Sequence, residues 1–412
     1  MEVITKNKTV PNLRFKEFEG EWSEVKFGDL CKDVAYGMNA SAIKFDGENQ
    51  YLRITDIDED SRKFIPKPLK SPDGEIEDKF ILKKNDIVFT RTGASVGKSY
   101  LYDKNDGKLL YAGFLIKFNI AKANPYFIFS TTFRSKYNKW VKEYSVRSGQ
   151  PGLNAEEYKG MKLNIPQSEE QQKIATFLTS VDEKIQQLTK KVESLKVYKK
   201  GVMQKIFKQE IRFKADDGEE FEEWEEKKLG EIFERVTTKN KENNSNVLTI
   251  SAQQGLINQQ EYFNKSVSAK DVTGYYLLNR NDFAYNKSYS KGYPMGATKR
   301  LTKYDKGVVS TLYICFRMNT DNDLSFYEQY FDSGFLNHEL SKIAQEGARN
   351  HGLLNVSVTE FFREIVIPNP ILKEQTKIAN YLSNIDEKIS KVSKQLEEAK
   401  QFKKGLLQQM FV

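Results

Sequence analysis

The sequence predicts an α+β protein with pseudo-twofold symmetry, in which two similar globular domains are separated by a pair of long antiparallel helices that form a coiled coil. One observation behind this prediction is an ungapped repeat: Glu170–Phe207 is similar to Glu374–Phe411, at an offset of 204 residues (374 − 170). Another is that a β-rich segment of different sequence precedes each copy. A repeat of this length predicts two similar halves and two similar binding events.

Each copy of the repeat has the pattern of one long amphipathic helix. The motif DEKI recurs at 182–185 and 386–389, and KKG recurs at 199–201 and 403–405. Prolines before each copy favour a sharp helix start, and a helix of 38 residues spans roughly 57 Å. The apolar positions follow one stripe that needs a partner, and the most similar partner is the other copy. These positions are Ile174, Phe177, Leu178, Val181, Ile185, Leu188, Val192, Leu195, Tyr198, Val202 and Ile206, and in the second copy Ile378, Tyr381, Leu382, Ile385, Ile389, Val392, Leu396, Ala399, Phe402, Leu406 and Met410.

The two β-rich segments are predicted to form the globular domains. Short strands are expected at 51–54, 86–90 and 114–118, and again at 247–250, 282–285 and 312–316. Helical stretches follow at 125–144 and 325–345. We therefore divide the chain into a first domain at 1–165, a first long helix at 166–210, a second domain at 211–367 and a second long helix at 368–412. The two domains share a framework, whereas their loops differ, which is typical of related recognition modules.

Composition narrows the class of function. The 412 residues carry a formal net charge of +8, which is compatible with a nucleic-acid partner. With two cysteines and two histidines, the chain has few residues that could form a zinc site or a Cys/His nucleophile. The first residues contain no apolar signal segment, and no stretch is long and apolar enough to span a membrane. We expect a cytoplasmic protein that has no membrane partner.

The order of the repeated blocks resembles that of the specificity subunits of type I restriction–modification systems. The resemblance covers nearly the whole chain, and its most specific feature is the duplication of the block order. The blocks that carry it are FGDL and LGEI at 27–30 and 229–232, NDIVFTRTGASVGK at 85–98, NDFAYNKSYSKGYPMGA at 281–297, and the two helices with EQ, IA and DEKI.

The resemblance implies a DNA-binding subunit without catalytic activity of its own. Two target-recognition domains would each bind one half of a bipartite, asymmetric sequence in double-stranded DNA. The partners implied are two methyltransferase (modification) subunits and motor–nuclease (restriction) subunits, in a system of DNA methylation and phage defence. No cofactor is expected in this chain, because S-adenosylmethionine, ATP and magnesium would be bound by the partner subunits.

Candidate DNA-binding residues lie in loops that follow predicted strands or helices. Arg can bond guanine, Asn and Gln can bond adenine, and glycines allow the backbone to approach phosphate. For each loop, a purely structural turn or an ordinary surface loop is the alternative. The candidates are Thr90, Arg91, Thr92, Ser95 and Lys98; Arg147 and Gln150; Gln253 and Gln254; Asn286, Lys287, Ser290 and Lys291; and Arg349 and Asn350.

Three motifs resemble catalytic signatures but depart from them. The segment 92–99 has Thr92 where a Walker A phosphate loop has its first glycine. In the PD…ExK-like stretch at 72–79, the gap is too short to place the acidic residues on neighbouring strands. Asn369-Pro370 lacks the second proline and the aromatic residue of an adenine methyltransferase loop. We therefore rank an independently active nuclease or methyltransferase, and a coiled-coil adaptor that binds only protein, behind the DNA-specificity subunit.

Overall fold

A computed structural model describes residues 9–251, 254–263, 271–289, 292–344 and 354–412. The chain divides into two compact units. Unit 1 comprises Met1–Thr189 together with Lys394–Val412, and unit 2 comprises Lys190–Ser393. Both units combine short strands with helices, so the predicted α+β class and the duplication of the fold are confirmed.

Unit 1 contains a series of short strands followed by helices. Its strands are β1 (Ser23–Lys26), β2 (Cys31–Tyr36), β3 (Ala42–Lys44), β4 (Gln50–Leu52), β5 (Lys70–Pro72), β6 (Asp86–Thr90), β7 (Ser99–Leu101), β8 (Leu109–Tyr111), β9 (Leu115–Ile120) and β10 (Lys162–Ile165). Its helices are α1 (Pro125–Thr131), α2 (Ser135–Tyr144), α3 (Ala155–Lys159) and the first part of α4 (Ser168–Phe207).

Unit 2 has a closely similar order of elements. Its strands are β11 (Glu225–Lys228), β12 (Phe233–Arg235), β13 (Leu248–Ser251), β14 (Gly255–Asn258), β15 (Tyr276–Asn279), β16 (Phe283–Asn286), β17 (Ala297–Arg300), β18 (Lys306–Val309), β19 (Ile314–Met318) and β20 (Val366–Asn369). Its helices are α5 (Leu229–Ile232), α6 (Gln259–Phe263), α7 (Leu324–Ser333), α8 (Leu336–Ile343), α9 (Val358–Arg363) and the first part of α10 (Leu372–Gln409).

A four-stranded antiparallel sheet lies at the centre of each unit. The strand order is β2-β9-β6-β7 in unit 1 and β12-β19-β16-β17 in unit 2. The repeated Asn-Asp before β6 and β16 has a structural role. Asn85 and Asn281 adopt left-handed backbone angles, with φ of 74° and 76°. The buried carboxylates of Asp86 and Asp282 then accept hydrogen bonds from the backbone of the same turn. The motif thus fixes where each central strand begins.

The repeated Glu-Gln at the start of each long helix anchors the segments around it. Glu170 and Glu374 are fully buried and paired with Arg14 and Arg212, at 2.6 Å and 3.0 Å. Each arginine also donates to backbone carbonyls of its own entry segment. A buried carboxylate requires such a partner, and the pairing holds the entry segment against the helix.

The glutamine that follows each of these glutamates connects the long helix to the globular part of its unit. Gln171 donates to the carbonyl of Pro166 and accepts from the backbone of Asn124, the N-cap of α1. Gln375 does the same with Pro370 and with Asp323, the N-cap of α7. The repeated motif thus orients a shorter helix in each unit.

The core of each unit includes the end of the long helix from the other sequence repeat. In unit 1, Ile174 and Leu178 of α4 share a core with Leu406 and Met410 of α10. In unit 2, the equivalent core contains residues 203, 206 and 207 of α4 and residues 378 and 382 of α10. The start of one helix therefore packs on the end of the other, so the helix segments in each unit are antiparallel, as predicted.

The repeated DEKI and KKG motifs form reciprocal ion pairs within these helix contacts. Asp182 and Lys403 pair at 2.6 Å in unit 1, and Asp386 and Lys199 pair at 2.7 Å in unit 2. Each motif is thus present twice because each supplies one member of a pair in each unit.

The structure corrects the helix predictions in detail. The stretch 125–144 is divided into α1 and α2, and the stretch from 325 is divided at Gly334, whose φ of 85° ends α7; Gln345 lies outside the described residues. Tyr198 and Phe402, both placed on the apolar stripe, are 51% and 56% exposed. The helix ends instead bury an additional face that includes Met203, because the globular part of the unit surrounds them there.

Candidate nucleic-acid interface

In unit 1, two of the predicted loops lie side by side and form the first loop cluster, defined as residues 91–98 and 145–153. The backbone of Leu153 donates to the carbonyl of Arg91 at 2.9 Å, and Gly93 donates to Pro151 at 2.9 Å. Thr92 and Gly152 form an isolated antiparallel bridge. Residues about sixty positions apart in the sequence therefore make one surface at the end of β6.

Two buried tyrosines hydrogen-bond to the backbone of the first loop cluster or of the residue directly before it. The hydroxyl of Tyr158 donates to the carbonyl of Thr90 at 3.0 Å, and that of Tyr137 donates to Gly97 at 2.6 Å. Burial raises the pKa of both hydroxyls, so both are neutral donors at physiological pH. Gly97 has a φ of 86°, and a Cβ atom there would lie 2.7 Å from the methyl groups of Val141. The turn therefore requires glycine.

The structure reassigns two candidates to the support of the cluster. Thr90 is fully buried, and its hydroxyl donates to the carbonyl of Ser95. Lys98 is only 8% exposed; its Nζ donates to the carbonyl of Ile57 at 3.2 Å and pairs with Glu59. Side chains held in this way are not available to DNA, and we interpret both as residues that shape the loop.

The remaining candidates of this cluster are accessible. Thr92 and Ser95 are partly buried, and Gln150 is exposed. Arg147 is also exposed and paired with Glu157. Arg91 is partly buried, with its guanidinium carbon 5.2 Å from the ring centre of Tyr36. Among the described residues, none accepts a hydrogen bond from its buried Nε.

Unit 2 has a second loop cluster at the equivalent place, defined as residues 286–289 with the segment that begins at Leu354. Leu354 donates to the carbonyl of Lys287 at 2.9 Å, the counterpart of the bond between Leu153 and Arg91. Asn286 and Lys287 are partly buried, and Tyr289 is 60% exposed. The second cluster thus repeats the backbone arrangement of the first with different side chains.

The other candidates of unit 2 fall into two groups. Gln254 is exposed in the turn between β13 and β14, where its backbone donates to the hydroxyl of Ser251 at 3.2 Å. The rest lie outside the described residues: Gln253, Ser290, Lys291, Arg349 and Asn350.

Sequence reasoning missed several residues on these surfaces. Tyr36, Phe114 and Leu312 are 42%, 57% and 56% exposed, and Asn39 is also exposed. Phe114 and Leu312 were both placed in predicted strands, but β9 and β19 begin after them. Apolar residues at the edge of a strand pattern resemble core residues, so no signal in one sequence separates them.

The loop at 92–98 does not have the geometry of a nucleotide phosphate loop. It contains a single turn of 3₁₀ helix at Gly93–Ser95 and leads into strand β7. A phosphate loop instead leads into a helix, whose N-terminus binds the phosphate. Asn369, of the methyltransferase-like motif, accepts a hydrogen bond from Tyr327 at 2.9 Å. Within the described ranges, no cluster of potential metal ligands occurs and no helix is long and apolar enough to cross a membrane.

The comparison with known protein families agrees with the duplicated fold. The model of one family, described as type I restriction modification DNA specificity domain, matches residues 19–197 and again residues 221–401. The chain belongs to this family. The family resemblance inferred from the repeated blocks is thereby confirmed, and the two matches correspond to the duplication seen in the sequence.

Individual relatives in the family are distant in sequence. The type I restriction enzyme MjaVIII specificity subunit of Methanocaldococcus jannaschii is 26% identical over 232 residues, which cover 53% of this chain and 52% of that protein. The chain spans about half the length of the curated relatives it matches.

Two solved structures share the fold at 14% sequence identity. The S subunit of a type I restriction–modification system from M. genitalium aligns over 98% of this chain and 99% of its own, with a TM-score of 0.58. A chain from a structural study of assembly and conformational transition of a type I system aligns over 95% and 97%, with a TM-score of 0.53.

Proposed function

We propose that this chain is a DNA-specificity subunit of a type I restriction–modification complex, without catalytic activity of its own. It binds a bipartite, asymmetric sequence in double-stranded DNA, one half through each recognition domain. We retain residues 1–165 and 211–367 as these domains, and 166–210 and 368–412 as the long helices.

One observation carries the proposal. The two loop clusters occupy the same place in the fold and are held by the same backbone hydrogen bond, yet they present different side chains. Arg91 and Gln150 lie in the first cluster, and Asn286 and Lys287 lie in the second. Arginine presents a planar pair of donors that bonds guanine bidentately, whereas lysine presents a flexible point charge, so the two clusters favour unlike half-sites.

Arg91 is the strongest single candidate for base contact. Its planar group is positioned over the ring of Tyr36, and its Nε donor is unsatisfied within the described part of the chain. The guanidinium group is the one with which arginine makes a bidentate contact to guanine. Phosphate contacts from neighbouring lysines and arginines would add affinity that decreases with salt.

Membership of the family supports a proposal for the partners. Two methyltransferase subunits would transfer the methyl group, and motor–nuclease subunits would cleave unmodified DNA. These partners would bind S-adenosylmethionine, ATP and magnesium, and the specificity subunit would bind none of them. The complex would act in the cytoplasm, where the DNA is.

The test is selection from random double-stranded DNA by this chain, alone and together with its methyltransferase subunit. We expect enrichment of two short conserved blocks separated by a fixed number of unselected base pairs. Enrichment of no two-part sequence contradicts the proposal. Methyl transfer by the isolated chain contradicts its non-catalytic role.

Single substitutions then assign each half-site to one domain. Arg91→Ala is expected to relax base preference in one block only, and Lys287→Ala in the other. Arg147→Ala is a comparison within the first cluster, because this arginine is already paired with Glu157. A change in both blocks from either single substitution contradicts the division into two recognition domains.

A further inference from the structure

Each unit exposes one large apolar side chain at the same position of its fold. Phe114 is 57% exposed and Leu312 is 56% exposed. Each is the third residue of a tight turn that leads into the inner strand β9 or β19. The turns are closed by equivalent backbone bonds, from Leu115 to Ala112 at 2.9 Å and from Tyr313 to Ser310 at 3.1 Å.

The exposure of a large apolar side chain at the same position in both units needs an explanation. A single exposed apolar residue is ordinary on a protein surface. Here, however, Ala-Gly-Phe in one turn and Ser-Thr-Leu in the other have no residue in common. The common property of the two turns is an apolar side chain directed to solvent. A role in folding would bury it, as Leu115 and Ile116 are buried directly after Phe114.

In unit 1, the neighbours of this side chain have the chemistry of base recognition. The carbonyl of Phe114 accepts a hydrogen bond from the backbone of Arg91 at 3.0 Å. The Arg91 guanidinium lies over Tyr36. A Cβ atom on Gly113 would lie 3.5 Å from the Cα of Asn39, whose side chain is exposed. Arginine, an amide and an apolar group thus lie together on one accessible surface.

In unit 2, the register of the sheet gives an equivalent arrangement. Tyr285 of β16 is paired with Ile314 of β19. This is the last pair of the two strands; Lys287 follows Tyr285 by two residues, and Leu312 precedes Ile314 by two. Tyr289, also exposed, follows two residues later. The turn that carries Leu312 therefore lies at the end of β16, where the second loop cluster, with Lys287, begins.

We propose that Phe114 and Leu312 are specificity-determining residues, each of which packs against the C5-methyl group of a thymine in the half-site bound by its own domain. This inference rests on the proposed function. The thymine methyl is the one apolar group that the four bases present in the major groove, and phenylalanine is among the side chains that contact it. The flanking arginine, lysine and amide groups complement the DNA backbone and the polar base edges.

The first experiment needs no variant. The wild-type chain selects its two-part sequence, and each thymine of that sequence is then replaced by deoxyuridine, which lacks only the methyl group. We expect at least one position in each block where this replacement weakens binding about fourfold, the loss expected for one methyl-sized apolar contact.

The second experiment assigns each contact to a residue. Phe114→Ala is expected to remove the effect of deoxyuridine, and the preference for thymine, in one block only. Leu312→Ala is expected to do the same in the other block. Val197→Ala on α4 removes apolar surface of comparable exposure, 72%, at a residue that belongs to neither cluster, and every base preference should persist. All three variants should melt at the wild-type temperature, because the substituted side chains are exposed.

The outcomes separate this inference from the function on which it rests. If the wild-type chain selects a two-part sequence but is indifferent to every thymine methyl, the inference is wrong and the function stands. The inference is also wrong, and the function stands, if both alanine variants keep all base preferences. This holds even if those variants lose binding to a protein partner. If the wild-type chain selects no two-part sequence, the proposed function and this inference both fail.

Discussion

Phe411→Ala tests whether the end of α10 belongs to the core of unit 1. Phe411 is 4% exposed and stacks on Phe127, with ring centres 4.9 Å apart. It also meets Trp22 edge-on at 6.2 Å, and the guanidinium of Arg134 lies 5.7 Å from its ring centre. All three neighbours come from the first sequence repeat, more than 270 residues before Phe411. Truncation of a buried phenylalanine costs about 3–5 kcal/mol, because transfer energy is lost and a cavity remains.

The assay is thermal unfolding followed by calorimetry and by tryptophan fluorescence, with Trp22 as a reporter beside the substituted ring. For a unit of about 200 residues, the expected loss lowers the melting temperature of unit 1 by roughly 6–20 °C. Because the chain has two units, the comparison is made on the transition of unit 1 rather than on one global free energy.

The matched control is Phe402→Ala in the same helix. Phe402 is 56% exposed, so its truncation should change stability by less than about 0.5 kcal/mol. If the two variants melt within about 1 °C of each other, Phe411 does not lie in a packed core, and the contact between the end of α10 and unit 1 is refuted.

Three further predictions address the ion pairs, the turns and the thiols. Lys199→Asp should lower the stability of unit 2 by at least about 0.5 kcal/mol. Addition of Asp386→Lys should restore it, since the ion pair is reformed with opposite signs. If the double variant is no more stable than Lys199→Asp in urea unfolding, the pairing is contradicted. Gly296→Ala should cost more than about 1 kcal/mol, because its φ is 77° and a Cβ atom would lie 2.2 Å from the carbonyl oxygen of Asn286. Gly405→Ala, with free space within α10, should instead stabilise by about 0.5–1 kcal/mol; equal melting temperatures would count against both assignments. Burial raises the pKa of the Cys315 thiol to about 12, so a disulfide reagent at pH 8 should label it only after unfolding, and rapid labelling of the native protein would show that the thiol is accessible.

Much of the scaffold could be predicted because its signals are periodic or repeated. The apolar stripe predicted both long helices, and the structure places them at Ser168–Phe207 and Leu372–Gln409, inside the predicted segments 166–210 and 368–412. The strand at 86–90 was predicted with its observed bounds. The physical basis is local, because helix and strand periodicity depend on neighbours along the chain.

The candidate surface was predictable as a set of loops but not as a set of side chains. Arg91 and Gln150 fell in segments that the structure brings together, whereas Thr90 and Lys98 are turned inward. Phe114 was assigned to a strand, although it is exposed in the preceding turn. Whether a polar loop residue is directed inward depends on partners far away in sequence, such as Ile57 for Lys98.

The α+β class, the duplication, the two long helices and the membership of a DNA-specificity family could all be inferred from the amino-acid sequence. These depend on repeated motifs and on periodic burial, which one chain displays directly. The folded structure was needed to show which globular part each helix end packs into. The two long helices have nearly the same apolar face. The end of α4 is therefore equally suited to pack against the globular part of either unit. A straight helix of 40 residues cannot return its end to its own beginning. Phe207 and Phe411 therefore each complete the core of the unit built from the other sequence repeat.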